Sequence, residues 1–340
     1  MRKKIISSSY VIIPVREQDD RQTSLRYCKN TVIRKILPQT SEMKSDTFIY
    51  DCIVIGAGPG GLQAAIHLGR YNRRVLLVDR GAGRTTHAAH IVNYLGLVAI
   101  SGRELIATGL EQVKEFGVEV LKDTVTRVEK DDGFTVHTTD RSFQGRYVIA
   151  SAGAVDNLPR LRNLGRFFGK GFYTCVDCDG HLTTGTKLLV MGNSLNAARL
   201  ALGMKQMYTD DLALLLTDFN LPPDYQEAIR EDSIAVHSGE PVALLGEAGL
   251  EGVQLADGRT LPCESIMATF GWRLNDSFLA GLSLDRDHER FKILTGNSNE
   301  SSLPGLYVVG AMKQGHSQAI IAAGQGAVAA IDINQKLLEL

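Results

Sequence analysis

The sequence has little excess charge, few aromatic residues and no long apolar run. Its 340 residues carry a formal net charge of -1, and 6% of them are aromatic. A chain without bulk positive charge lacks the electrostatic footprint of a nucleic-acid-binding protein. A transmembrane helix needs about 18 consecutive apolar residues, and no such run occurs. We therefore expect a globular protein that binds neither nucleic acid nor a membrane, with two domains on the basis of its length.

Cysteine is also scarce, with only five in the chain: Cys28, Cys52, Cys175, Cys178 and Cys263. An odd number at scattered spacing does not describe the disulfide framework of a secreted protein. One close pair in a chain with so few thiols is typical of a reducing compartment. The sequence therefore predicts a cytoplasmic protein in which Cys175 and Cys178 have a redox role.

The first 46 residues differ in composition, since they contain ten basic and five acidic residues. The basic, apolar start partly resembles a signal peptide, but serines interrupt it and no small-residue cleavage site follows. We interpret residues 1–46 as a poorly ordered extension, or as the result of a start codon assigned too early, with Met43 as the true start. The role of this segment is left open.

Residues 50–79 follow the order strand, glycine loop, helix, strand and acidic residue, which is the fingerprint of a dinucleotide-binding unit. In this pattern Gly56 permits a tight turn, Gly58 lets the backbone approach a pyrophosphate, and Gly61 lets helix and strand pack closely. The second strand ends in Asp79, which is placed to accept hydrogen bonds from a ribose. A poorer copy of the unit begins near Lys187.

A Cys-x-x-Cys pair, Cys175 and Cys178, is followed directly by Asp179. At the start of a helix such a pair can provide a thiolate that attacks a disulfide and is resolved by its neighbour. One alternative is half of a zinc site, which needs two further ligands. Cys263 and His181 could serve as ligands, but their spacing follows no recognisable zinc-binding pattern. Two buried structural thiols are the other alternative. The pattern favours redox chemistry and no metal.

Four patches, in this order and spacing, resemble the low-molecular-weight thioredoxin reductases. They are Gly56–Gly61, Val92–Gly96 with Ser101–Leu105, Cys175–Gly180, and Gln318-Ala319 leading into Ala322–Gly324. The resemblance covers residues 48–340. It implies an α/β fold of two nucleotide-binding, Rossmann-like three-layer domains, the second inserted into the first. The implied limits are 47–154 with 271–340 for a discontinuous FAD domain, and 155–270 for a degenerate NAD(P)-like domain that carries the dithiol.

The resemblance also implies roles for single residues. Cys178 would face the flavin, Cys175 would meet the substrate, and Asp179 would protonate a leaving thiolate. Besides the loop glycines and Asp79, the implied FAD contacts are Gly83, Thr86, Asn93, Gly310, Gln318 and Ala319. The small residues of 315–330 predict a buried helix that something flat approaches closely. Members of the family are usually homodimers.

The sequence departs from the family pattern in both nucleotide-binding units. Ser194 replaces the middle glycine of the second loop, where a Cβ crowds the phosphates. The arginines that pair with a 2′-phosphate are missing before Arg230, and Asp218 would repel that phosphate. Ala311 replaces a carboxylate that helps to hold FAD, at a cost of roughly 1.5–3 kcal/mol, and Ser317 replaces an arginine. We therefore expect FAD to bind and doubt that NADPH does.

The leading functional hypothesis is a flavin-dependent disulfide oxidoreductase that reduces a thioredoxin-like protein, with ferredoxin or a reduced flavin as donor. One alternative is a dithiol oxidase that passes electrons from a small-molecule dithiol to oxygen, and another is a non-catalytic flavin-binding or sensing protein. An acidic ferredoxin would need a basic docking face. The run Arg160, Arg162, Arg166 and Lys170 could provide one, or it could be a solvated linker. Trp272 falls at the expected hinge, where it could pack the hinge or shield a flavin.

Overall fold

The computed structural model describes residues 49–288 and 291–339. The extension 1–46, the alternative start at Met43 and Cys28 lie outside these residues. The part of the chain from Thr47 to Leu340 forms one compact unit.

Helices and strands alternate in two stretches of this unit, and a run of consecutive strands follows each of them. The helices are α1 Pro59–Arg70, α2 Gly102–Glu115, α3 Leu164–Phe167, α4 Val176–Asp179, α5 Leu195–Met207, α6 Pro223–Glu231 and α7 Ala319–Leu338. The strands are β1 Ile49–Ile55, β2 Val75–Asp79, β3 Glu119–Lys122, β4 Val125–Lys130, β5 Phe134–Thr138, β6 Ser142–Ala150, β7 Ala154–Asp156, β8 Phe172–Tyr173, β9 Leu188–Gly192, β10 Leu212–Leu216, β11 Ala235–Ser238, β12 Pro241–Leu245, β13 Gly252–Leu255, β14 Thr260–Pro262, β15 Ser265–Thr269, β16 Trp272–Leu274 and β17 Leu306–Val308. Short 3-10 turns cover Arg84–His87, Gly180–Thr183, Ser277–Leu279 and Gly310–Met312.

The first sheet has the order β3-β2-β1-β6-β5-β4, and β17 also pairs with β6. Strands β1, β2, β3, β6 and β17 are parallel, whereas β4 and β5 form an antiparallel extension from β6. The central strands are apolar and buried on both faces, as parallel strands between helices are. Val54 and Leu77 lie in the core that α1 and α7 cover, and Ile53 and Leu76 lie in the core on the opposite face.

The second sheet has the order β11-β10-β9-β15-β8 and is parallel throughout. One face packs against α5 and α6 through side chains such as Ala201 and Ile229. The other face packs against the antiparallel sheet β12-β13-β14 through side chains such as Leu244 and Val253. The predicted α/β fold with two Rossmann-like units is therefore confirmed.

The antiparallel pair β7–β16 lies on the two chain connections between the large sheets. Strand β7 follows β6 of the first sheet, and β16 follows β15 of the second. Trp272 of β16 is in register with Asp156 of β7. The first sheet takes strands from both ends of the described chain, and the second takes them from 172–269. The limits 47–154 with 271–340 and 155–270 stay a prediction.

One of the small residues of 315–330 allows close packing against another helix. Helix α7 begins only at Ala319, and a Cβ added to Gly326 would lie 2.0 Å from the carbonyl oxygen of Gly60 in α1. The absence of this atom lets the two helix backbones touch. Gly326 therefore serves helix packing, and the approach of a flat group to this helix stays a prediction.

Candidate active site

The dithiol predicted from sequence is a disulfide between Cys175 and Cys178, whose Cα atoms are 5.3 Å apart. Helix α4 starts directly after Cys175. The carbonyl oxygen of Cys175 accepts a hydrogen bond from the backbone N–H of Asp179 at 3.0 Å. This helix is one turn long and continues as the 3-10 turn Gly180–Thr183. A single turn aligns few peptide dipoles, so it lowers the pKa of a thiol less than a full helix does.

Gln318 and Asn93, both predicted from the resemblance, meet at the disulfide. The side-chain nitrogen of Gln318 lies 3.9 Å from Sγ of Cys175 and 3.8 Å from Sγ of Cys178. The side-chain amide of Asn93 donates to Oε1 of Gln318 at 3.2 Å and to the carbonyl oxygen of Asp177 at 3.3 Å. Three segments distant in sequence thus converge: the segment of Asn93, the turn with the two cysteines, and the start of α7. Gln318 is the N-cap residue of α7.

The carboxyl group of Asp179 is half-buried beside the disulfide-bearing turn. Burial raises the pKa of Asp179, and the nearby charge of His181 opposes part of that rise. Burial disfavours the ionised form, so this carboxyl keeps its proton to a higher pH than an exposed aspartate. That property suits the predicted role of Asp179 as an acid.

The first glycine loop has the backbone shape that a dinucleotide needs. Gly56 has a φ of +101°, and a Cβ added to Gly61 would lie 2.0 Å from the carbonyl oxygen of Gly56. A Cβ at Gly58, in contrast, would meet only the Ser151 carbonyl oxygen at 3.9 Å, so this position faces open space. Helix α1 then begins at Pro59, with its free N–H groups toward the loop. These features fit the pyrophosphate of FAD.

Asp79 makes contacts that the sequence did not predict. Its Oδ1 accepts a hydrogen bond from the backbone N–H of Ala57 at 2.9 Å, and its Oδ2 accepts one from the backbone N–H of Gly81 at 2.9 Å. The carboxylate therefore braces the glycine loop as well as lying where the ribose of FAD is expected. Each oxygen can still accept a further hydrogen bond.

The other implied FAD residues lie in two segments. Thr86 donates its hydroxyl to the Gly83 carbonyl oxygen at 2.6 Å within a 3-10 turn. The amide of Gly310 donates to Oε1 of Gln325, on α7, at 2.7 Å. This side chain brings a polar group close to Ala311, where the family pattern has a carboxylate. Sequence reasoning missed Gln325 because it lies in a run of small residues that we interpreted as a buried helix approached by something flat.

The end of strand β10, which follows the second glycine loop, has few positive charges near it. Strand β10 ends at Leu216, and Asp218 follows with a φ of +50°. A cavity of about 540 Å³ beside this strand end is lined mainly by apolar residues, among them Leu216, Phe219 and Ile229. The arginine in its wall, Arg230, lies 3.5 Å from Glu227. Such a lining has no cluster of cations for a 2′-phosphate.

Two residues of the basic run, Arg162 and Arg166, form hydrogen bonds within the protein. The guanidinium of Arg162 donates to Gln254 at 3.0 Å, and that of Arg166 donates to the carbonyl oxygen of Glu247. All four side chains, including Arg160 and Lys170, are exposed. The docking face for ferredoxin stays a prediction.

Two polar contacts near the site had no signal in the sequence. The guanidinium of Arg84, in the loop after Asp79, forms an ion pair with Asp156 of β7 at 2.8 Å. Lys292 is 5% exposed and donates from Nζ to the carbonyl oxygen of Gly315 at 2.9 Å. Both contacts depend on long-range packing, which local sequence patterns do not predict.

The chain belongs to the pyridine nucleotide-disulphide oxidoreductase family, whose model matches residues 50–326. It is 28% identical over 312 residues to the thioredoxin reductase of Borreliella burgdorferi, covering 86% of this chain and 94% of that protein. The crystal structure of HlmI is similar with 31% identity and a TM-score of 0.79, covering 85% of this chain and 93% of that one. The thioredoxin reductase structure from Streptococcus pyogenes has 24% identity and a TM-score of 0.80, covering 87% and 100%, and supports the fold.

These comparisons confirm a thioredoxin-reductase-like, FAD-dependent disulfide oxidoreductase. Membership of the family implies the use of FAD. Within residues 49–288 and 291–339, no helix is both long enough and apolar enough to cross a membrane. The same described residues hold no group of three or more metal-ligating side chains. The homodimer stays a prediction.

Proposed function

We propose that this protein reduces a thioredoxin-like protein disulfide through Cys175 and Cys178, with an electron donor other than NADPH. The observation that carries the proposal is the contact of Gln318 with both sulfurs. It supports a dithiol that exchanges electrons beside the N-terminus of α7, next to the residues implied to hold FAD. The second loop, with Ser194 and the apolar cavity beside β10, supports a donor other than NADPH.

FAD, once bound and reduced by the donor, would supply two electrons to the dithiol site. Two electrons and two protons convert the Cys175–Cys178 disulfide into two thiols. The thiolate of Cys175 then attacks the partner's disulfide, one S–S bond forms as another breaks, and Asp179 gives a proton to the leaving sulfur. The thiolate of Cys178 attacks the Cys175 sulfur of the mixed disulfide. That step restores the internal disulfide and releases the partner's second thiol.

Apolar side chains near Asn93 support a protein as substrate. Leu95 is 90% exposed and Val98 is 95% exposed, on the segment that also carries Asn93. Leu182, just after the dithiol turn, is 48% exposed. Exposed apolar groups beside a reactive centre are typical of sites that a protein partner covers.

The proposal is tested with the FAD-loaded protein and two assays run side by side. Photoreduced ferredoxin should drive the reduction of thioredoxin, and a Cys175→Ser variant should lose this activity while Cys263→Ser keeps it. The Cys263 thiol is buried, and burial raises its pKa to about 12, so it is a matched control.

The second assay supplies a reduced small-molecule dithiol and oxygen. Catalytic formation of peroxide without reduction of thioredoxin would replace the proposal with a dithiol oxidase. A Cys175→Ser variant that keeps every measurable activity would instead point to a non-catalytic flavin-binding protein.

A further inference from the structure

Lys292 is a buried cation that the proposed reaction does not use directly. It is 5% exposed, which is rare for lysine because burial removes the water that solvates its ammonium group. Its Nζ donates to the carbonyl oxygen of Gly315 at 2.9 Å and to Oγ of Ser317 at 3.3 Å. The same atom lies 5.3 Å from the centre of the Trp272 ring, within the range of a cation–π interaction.

These contacts hold the segment that leads into Gln318. Its beginning is fixed by the backbone, since Ile293 donates to the Met312 carbonyl oxygen at 3.0 Å and Gln314 donates to that of Ile293 at 3.1 Å. Its end, Gly315 to Ser317, is held by the side chain of Lys292. Gly315 has a φ of +94°, a conformation that glycine adopts readily and other residues rarely do.

Ser317 is also the position where the family pattern places an arginine. In this chain the Ser317 hydroxyl accepts a hydrogen bond from Lys292, which comes from a different part of the fold. A positive charge thus reaches the same segment by another route. The next residue, Gln318, touches both sulfurs of the disulfide.

We propose that Lys292 is a positioning residue that, through Gly315 and Ser317, fixes Gln318 against the Cys175–Cys178 pair. The inference rests on the proposed function, because it concerns electron exchange between the dithiol and FAD. Without the ammonium group the segment from Gly315 to Ser317 loses two hydrogen bonds, and Gln318 loses its fixed place beside the two sulfurs. The rate of exchange should then fall, because it depends on the orientation of the disulfide.

The test compares Lys292→Met with Lys292→Arg and with a control, Lys313→Met. Lys313 lies in the same segment, but its ammonium group bonds Asn299 at 2.9 Å. The readout is the rate of electron exchange between FAD and the dithiol under anaerobic conditions. In Lys292→Met this rate should fall about tenfold. Lys292→Arg should restore most of it, and Lys313→Met should resemble the wild type.

A double-mutant cycle shows whether Lys292 acts through Gln318. The effect of Lys292→Met on the rate of dithiol–FAD exchange should shrink at least severalfold in a Gln318→Ala background, and full additivity would overturn the positioning role. If Lys292→Met does not fold, Ser317→Ala removes one acceptor and should slow the exchange by a smaller factor. A wild-type protein without dithiol–FAD exchange refutes the proposed function itself. Normal exchange in the wild type with equal rates in Lys292→Met and Lys313→Met refutes this inference alone.

Discussion

The side-chain nitrogen of Gln318 lies 3.8 Å from Sγ of Cys178, although the two residues are 140 positions apart in the sequence. Oε1 of the same side chain accepts a hydrogen bond from Asn93. The amide groups of Gln318 and Asn93 thus form a small network against the disulfide. This network joins the segment after β2, the dithiol turn and the start of α7.

The network predicts that Asn93 and Gln318 act as a unit. Replacing either by alanine should slow electron exchange between FAD and the dithiol by about 10- to 100-fold, because the disulfide loses its orientation. The double variant should be little worse than either single one, giving a coupling energy of about 0.5–3 kcal/mol. Rapid-mixing measurements of flavin absorbance check this, and simple additivity would contradict it.

The pH dependence of substrate release should report Asp179. Because burial raises its pKa, the protonated acid persists above the ordinary pKa of about 3.9, and the rate falls as pH rises through the shifted value. An Asp179→Asn variant has no such acid, so this limb of the profile should disappear.

Thermal unfolding of the same variant supplies a second check. Burial in the folded state disfavours the ionised form of Asp179 but not its protonated form. The wild type therefore loses stability relative to Asp179→Asn as pH rises through the folded pKa. A stability difference that does not change with pH would contradict the assigned burial effect.

Asp79 should contribute to FAD binding by bracing the glycine loop. In an Asp79→Asn variant an NH2 group replaces one oxygen, so one of the amides of Ala57 and Gly81 loses its acceptor and the other keeps only an uncharged one. The loss is worth roughly 1.5–3 kcal/mol, or about 10- to 100-fold in the Kd of FAD. Asp51→Asn is the control, since Asp51 accepts the amide of Arg74 at the other end of β1. Equal FAD affinities in both variants, measured by fluorescence titration, would refute the bracing role.

The packing of α1 on α7 is tested by a pair of glycine substitutions. Gly326→Ala places a Cβ 2.0 Å from the Gly60 carbonyl oxygen, and such overpacking should destabilise the fold by about 1–3 kcal/mol. Gly324→Ala lies in the same helix with nothing within 4 Å of the added Cβ. It should stabilise the helix by up to about 1 kcal/mol. Thermal unfolding should therefore separate the variants in opposite directions, and a common shift would be evidence against this helix contact.

Much of this protein could be predicted from local patterns. The strand, loop and helix of 50–79 and the strands at 188–191 and 212–216 follow from buried apolar runs bounded by turn residues, and the structure has them with shifts of a few residues at the ends. Asn93 and Gln318 were identified only through the resemblance, as FAD contacts, and their contact with each other was not predicted. Lys292, Gln325 and the Arg84–Asp156 pair escaped prediction because their partners are distant in sequence. A lysine within an apolar stretch gives no sign that it will be buried.

The most direct test of the central claim is an anaerobic stopped-flow measurement of flavin absorbance. Dithiothreitol should reduce the Cys175–Cys178 disulfide and bleach the bound FAD, whereas NADPH should leave the absorbance unchanged over the same period. Rapid bleaching by NADPH would contradict the account of the second nucleotide loop. No bleaching by dithiothreitol would contradict the proposed exchange of electrons between the dithiol and FAD.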